Sequence, residues 1–248
     1  MIEVMSSSYD ICHTALVAAG DVLQGTREAY GDLYTASEWS ALRRMSAYVC
    51  QVLTTGNNDL GRSGPVCPFT PAALRLGLLM MTISKISSDD EPALVHTLEV
   101  LRTALLEAEK SAALPSVEVY RSVVVIFPHL SMPSGAALIE RVQQQLKRSY
   151  VEEGLMLGEF YPSCPVPGLY NPSFRPQDTP EICLAIRHIT VADGPFIIND
   201  ADCVRSFCRR FGANGRKRLR ALMERGSGIP AECRSFLLMP EEAQETIE

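Results

Sequence analysis

Residues Leu155–Phe196 read LMLGEFYPSCPVPGLYNPSFRPQDTPEICLAIRHITVADGPF. The two flanks, Leu155–Tyr161 and Ile182–Ile189, have the short apolar runs of buried strands. Between them Pro162, Pro165, Pro167, Pro172, Pro176 and Pro180 exclude regular structure over about twenty residues, a length that in a compact domain marks a functional or a disordered segment. Tyr161, Cys164, Tyr170, Asn171, Phe174 and Arg175 make this one too aromatic for a disordered linker. It reads as an ordered loop that covers or builds a site, held by two strands that can pair as antiparallel neighbours.

Working outward, Val119–Phe127 is the clearest strand of the chain, and Leu74–Ile83 is a short apolar run that reads as a buried strand, with helix the alternative. Helices are expected over Tyr9–Leu23 and from Thr35 to Gly56, the latter opened by a capping box, Thr35-Ala-Ser-Glu38. A further helix starts at Ser88-Asp-Asp-Glu-Pro92 and carries the stripe Leu94, Leu98, Leu101 and Leu105. Another follows Pro133, with Leu138, Ile139, Val142, Leu146 and Tyr150 on one face and Gly154 at its end. Two more, Asp200–Phe211 and Arg216–Glu224, follow the last strand. Strands alternating with long helices predict an α/β fold, with α+β as its variant: a single mixed, partly parallel sheet covered by helices. The expected organisation is an N-terminal helical layer over 1–55, a mixed core over 56–225, and a partly disordered acidic tail over 226–248.

Composition bounds the function classes. A 248-residue chain that is 46% hydrophobic and 21% charged is globular, and a net charge of −6 argues against a general nucleic-acid partner. No apolar run is long enough for a membrane span, and MIEVMSSSYD lacks the basic and apolar regions of a signal peptide. The eight cysteines are irregularly spaced, so reduced thiols and a cytoplasmic protein are expected. There is no GxGxxG, no phosphate-binding GxxxxGK[ST], no HExxH and no GxSxG, which argues against the common nucleotide-binding, zincin and hydrolase chemistries. No metal site is expected.

Several side chains are candidates for chemistry. Alternation puts Leu184, Ile186 and His188 on one face of a strand and Ala185 and Arg187 on the other. His188 is then a hydrogen-bonded core residue or a ligand for a buried cofactor. Arg187 is a cross-strand partner for Glu159 or, in a pocket, a bidentate holder of a substrate carboxylate. Cys67 and Cys164 each precede a proline in an irregular loop, where a thiol serves as an axial haem ligand, a metal ligand, a nucleophile or nothing. His129 follows the strongest strand and is a turn residue or part of a site. His96 points away from its leucine stripe, towards solvent, and His13 has no ligand pattern around it. Cys208 lies on an apolar stripe, about 140° of helix rotation from Cys203. The arginines from Arg205 to Arg225 make a cationic helical surface, with an anionic partner or the acidic tail as the livelier reading.

Taken in order, Gly64-Pro-Val-Cys-Pro-Phe69, Gly158-Glu-Phe-Tyr-Pro162, Gly168-Leu-Tyr-Asn-Pro172, Phe174-Arg-Pro176, Leu184-Ala-Ile-Arg-His188 and Gly194-Pro-Phe196 resemble the signature of an uncharacterised bacterial domain family of specialised-metabolite producers. The layout is similar to the YqcI/YcgG group, which includes haem-dependent N-oxygenases of guanidine or amine nitrogen. The resemblance covers roughly residues 60 to 200. It implies a haem-dependent biosynthetic oxygenase acting on a small amine or amino-acid-like molecule. Cys67, Cys164, His188 and Arg187 would be on the cofactor, Arg175, Tyr170 and Asn171 on the substrate, and Tyr161 and Glu159 would be catalytic. Two positions depart from the group: Tyr161 and Tyr170 stand where histidines are expected. The alternative function is a cofactor-free binding or accessory module of a biosynthetic pathway; a thiol enzyme using Cys67 or Cys164 is a third.

Overall fold

A computed structural model describes residues 15–87, 90–110, 115–225 and 228–239. The readings made for residues 1–8, Cys12, His13, Ser88–Asp89, Gly226 and the chain from Pro240 on lie outside the described residues. The chain forms the mixed sheet packed against helices that its alternation predicts. Strands β1 (Val17–Ala18), β2 (Leu79–Ile83), β3 (Ser122–Ile126), β4 (Leu155–Phe160) and β5 (Cys183–His188) lie in the order β1-β2-β3-β5-β4. β2 and β3 are the parallel pair, with Leu79 opposite Ser122 and Ile83 opposite Ile126; β1 with β2 and β3 with β5 are antiparallel. A parallel pair needs a crossover, and helices α4 (Glu91–Lys110) and α5 (Pro115–Glu118) supply it. β5 and β4 are neighbours, as the pairing across the long loop requires.

By contact, the chain divides into two compact units, Met1–Gln144 with Leu157–Arg187, and Gln145–Met156 with His188–Glu248. In the first, Leu79, Met81 and Ile83 of β2, Val124 and Ile126 of β3, and Cys183 share one apolar face. Helices α1 (Ala19–Gln24), α2 (Ala36–Ala47) and α3 (Thr70–Arg75) cover that face with Ala19, Val22, Trp39, Leu42, Met45 and Ala73. These N-terminal helices therefore lie on the sheet. The leucine stripe of α4 is buried throughout, and so are Leu138, Ile139 and Val142 of α6 (Ser134–Glu152), whose Leu146 and Tyr150 belong to the second unit and are buried too.

Three local readings change. Val17 is drawn into a strand instead of a helix because it pairs with Met81 at the sheet edge. Residues 74–83 are not one strand: Pro71 opens the short α3, and Gly77, at φ 65°, turns the chain into β2. Helix α2 keeps its capping box but continues beyond Ala47 as a π-helical turn, Tyr48–Val52, a feature enriched at functional sites.

The second unit is built on Val151, Ile189, Ile197, Val204, Phe207, Leu219 and, from α9 (Ala231–Leu238), Phe236 and Leu237. The gap expected between two helices is Gly212, whose φ of 53° and ψ of −136° break the helical path inside α8 (Ala201–Glu224). Asp200 caps α8 through the Cys203 N–H at 3.0 Å. Cys203 and Cys208 are both buried, because the core wraps more of α8 than one stripe. Much of the cationic run is used internally. Arg205 pairs with Asp202 and Glu232, Arg210 packs on Gly154, and Arg220 donates to the Leu237 carbonyl at 2.8 Å. No helix among the described residues is long and apolar enough to cross a membrane.

Candidate functional site

The long loop is ordered by its own polar contacts. The Tyr161 N–H donates to the Gln177 carbonyl, Gln177 Nε2 to the Glu159 carbonyl at 3.0 Å, and the Gly168 N–H to the Phe174 carbonyl at 2.9 Å. The loop tip is tied to the second irregular segment of the chain. Asn171 Nδ2 donates to the Asp59 carbonyl at 2.7 Å. Beside it Gly61, at φ 71°, lies so close that a Cβ there would sit 2.9 Å from the Tyr170 carbonyl oxygen.

That second segment is folded back just as tightly. The Val66 N–H donates to Thr55 and the Cys67 N–H to Leu53, at 2.9 and 3.0 Å. The Arg62 guanidinium collects the carbonyls of Ser63, Pro65 and Val66 at 2.9 to 3.0 Å. Together these contacts aim Cys67-Pro68-Phe69 at the sheet. The Phe69 ring lies 6.4 Å from that of Tyr120, and the Arg187 guanidinium carbon sits 5.5 Å over its centroid. Arg187 reaches this corner from β5, opposite Ser122, on the face opposite Leu184 and Ile186. Tyr48, in the π-helical turn, has its phenol pushed up to about 12 by burial, with Cys183, Asp178 and Cys67 near enough to add to it. Half-buried Cys67, Phe69, Tyr120, Tyr48 and Arg187 are the chemical groups converging between the Cys67 segment and the sheet.

The other candidates have different surroundings. Tyr161 is buried and donates its hydroxyl to Glu140 of α6, an intimate pair whose burial and hydrogen bond push the phenol far up. Cys164 is 1% exposed, with its sulfur 4.0 Å from Gln177 Oε1. Arg175 is exposed and donates back to the carbonyls of Pro172 and Phe174 in its own loop. Tyr170 is 58% exposed, and Asn171 spends its amide on Asp59. Glu159 is half-buried, its carbonyl held by Gln177. His188 is buried and belongs to the second unit; His96 is exposed. The site corner thus brings together the Cys67–Phe69 segment and Arg187, through Phe69, while Tyr161, Cys164, Arg175 and Asn171 hold the long loop in shape. Phe69, Tyr120 and Tyr48 were not foreseen as site residues. Phe69 had a signal in its Cys-Pro-Phe setting; Tyr120 and Tyr48 had none, because only long-range packing brings them in.

A haem requires a side chain able to reach its iron. Tyr161 does not fit, since its hydroxyl is committed to Glu140, and Cys164 does not fit, since its thiol is packed inside the loop. Cys67 fits in kind: a half-buried thiol two residues before Phe69, the ring over which Arg187, an arginine suited to a propionate, lies. A nearby cavity of about 450 Å³, lined by Gln51, Thr55, Asn57, Asn58, Asp59 and Val66, is too polar to be a haem slot. Among the described residues no group of three or more His, Cys, Asp or Glu is placed to hold a metal ion.

Comparison with known proteins identifies a family. The family described as "Domain of unknown function (DUF6875)" covers residues 42–222, a span from within α2 to the last turn of α8 that includes every residue of the corner. No curated protein and no solved structure matches the chain.

Proposed function

We propose, for a chain that belongs to the DUF6875 family, that it is a small-molecule enzyme of biosynthesis whose amino-acid-like substrate is received by Arg187. The observation that carries this reading is the arginine whose guanidinium carbon lies 5.5 Å over the Phe69 ring, beside Tyr120 and the Cys67 segment. A cation–π contact fixes where a guanidinium sits, and a well-placed guanidinium is what bidentate carboxylate recognition needs. A guanidinium has five N–H donors, so it can serve a protein contact and a ligand together. The aromatic rings supply the apolar wall that such sites use for the rest of the molecule. Cys67 is the group of the corner with nucleophile or ligand chemistry. Calorimetric titration with free amino acids and with their decarboxylated amines tests this. Wild type should prefer the amino acids, and Arg187→Met should lose that preference; equal binding of both sets by wild type would overturn it.

The half-buried Cys67 thiol, together with the likeness to the YqcI/YcgG group, supports a second, finer reading: a haem-dependent N-oxygenase. Cys67 would hold the haem and Arg187 would pair with a propionate. Haem, when bound, supplies the oxygen chemistry, while the chain supplies ligand, charge and orientation. A purified protein with no Soret band, and none after haem is added, sinks this reading and leaves the Arg187 reading standing. A cofactor-free accessory module would bind amino acids equally well with Cys67 replaced by alanine.

A further inference from the structure

A different edge of the same sheet carries a constellation independent of the Arg187 corner. In open sheets, ligands bind outside the carboxyl ends of parallel strands, and β2 and β3 are the parallel pair here. Their ladder runs one step further, with the Ser84 N–H donating to the Ile126 carbonyl at 2.9 Å. The chain therefore leaves both strands on one edge, as Ser84-Lys85 and as Phe127-Pro-His129. There His129 Nε2 lies 3.0 Å from Glu38 Oε1. The Glu38 side chain is 3% exposed and the His129 side chain 35%.

Glu38 is more than a capping residue. Its Oε2 accepts the Thr35 N–H at 2.8 Å and the Thr35 hydroxyl at 3.0 Å, leaving Oε1 for His129. Burial opposes its charge, but the Thr35 and His129 hydrogen bonds and the nearby Lys85 ammonium outweigh burial and hold the carboxyl below its ordinary range. An ionised carboxylate only accepts, so Nε2 must donate, and in the neutral ring the Nδ1 lone pair is then the base. Among the described residues Nδ1 has no hydrogen-bond partner. A buried carboxylate fixing the tautomer of a part-exposed histidine is the arrangement of a positioned general base.

We propose that His129, oriented by Glu38, is a general acid–base at the carboxyl edge of β2 and β3, serving a small carboxylate-bearing acid attracted by Lys85. In the step it would perform, an N–H bond forms at Nδ1 as the substrate's bond to that hydrogen breaks. The electron pair stays on the substrate, Glu38 balances the imidazolium, and Nδ1 returns the proton to the product.

Long-range proton–nitrogen NMR of the full chain tests this, with the four histidines assigned by substitution and acetate as the probe. In wild type His129 should be the Nε2–H tautomer. Glu38→Gln keeps a capping box, since glutamine serves at that position, but removes the obligate acceptor; the Nε2–H preference of His129 should then weaken, with the His96 resonances unchanged. Acetate should shift the His129 resonances, and Lys85→Ala should weaken that response about fivefold. An unchanged His129 tautomer in Glu38→Gln, or an acetate response that is absent, survives Lys85→Ala, or appears equally on His96, overturns the proposal.

Discussion

Tyr161 donates its hydroxyl to Glu140, joining the first residue of the proline-rich loop to helix α6. This phenol stands where the resembling group has histidine, and its surroundings make it a structural anchor. Tyr161→Phe should leave the Glu140 carboxylate without that donor and cost about 2 kcal/mol, the scale of a hydrogen bond to a charged group. Urea unfolding of the single variants and of Tyr161→Phe with Glu140→Gln should show strong coupling. Additive losses would mean that the bond contributes little.

The Thr35–Glu38 box should be visible at acid pH. The Glu38 carboxyl is held below its ordinary 4.5, so the folded state binds its proton less readily than the unfolded chain. Its stabilisation is fully present above 4.5 and is lost as pH falls through the lower folded value. Glu38→Gln should therefore flatten the acid limb of stability against pH. Thr35→Ala should cost about 1 kcal/mol at neutral pH. Thermal unfolding between acid and neutral pH measures both.

The alkaline limb has the opposite origin. Burial raises the Cys183 and Cys203 thiols from 9.0, and the Tyr34 and Tyr48 phenols from 10.0, all to about 12. The folded state holds these protons when the unfolded chain has released them. Their contribution to stability is thus constant below pH 9, falls as pH rises from 9 towards 12, and is lost above that. Replacing Cys183 by alanine should make the fall shallower between 9 and 12.

Thiol reactivity should follow burial. Cys50 and Cys67 are half-buried, whereas Cys164, Cys183, Cys203, Cys208 and Cys233 are buried. Brief iodoacetamide treatment followed by peptide mass mapping should label Cys67 and Cys50 first among these seven. The other five should react at the rate of unfolding. Early labelling of Cys164 would mean that the long loop opens readily.

The docking of the two irregular segments should be separable from the stability of the sheet. Asn171→Ala removes the bond to Asp59, and Gly61→Ala strains a left-handed residue pressed against Tyr170. Each should raise amide exchange across residues 161–182 by about tenfold, equivalent to about 1.4 kcal/mol of local opening. Exchange in β2 and β3 should be unchanged.

Much of this architecture is legible residue by residue. The run Ser122-Val-Val-Val-Ile126, the leucines of α4 at steps of three and four, and the Thr35 box all carry their structure in local pattern, because burial and capping impose short periods. Gly212 and Asp200 likewise mark α8 from within the chain. The long loop was recognisable as ordered from its aromatic content, and the adjacency of β4 and β5 from its flanking strands. Arg187 and Cys67 were recognisable as candidates by residue type and position.

What the tertiary structure alone decided is who meets whom. Val17 became a strand because Met81 offered it an edge. Tyr161 and Cys164 became loop anchors, as Glu140 and Gln177 faced them. Phe69 met Arg187 across more than a hundred residues, and Glu38 met His129 across 91. Periodicity reports which face of an element is buried, since that depends on residues three, four or two apart. It carries no record of the partner on the other side of the contact, which chain folding brings in from a distance. The chain by itself therefore determined the elements and the proline-rich loop at Leu155–Phe196; packing decided that its tip grips Asp59 and that Arg187, at the end of its last strand, lies on Phe69.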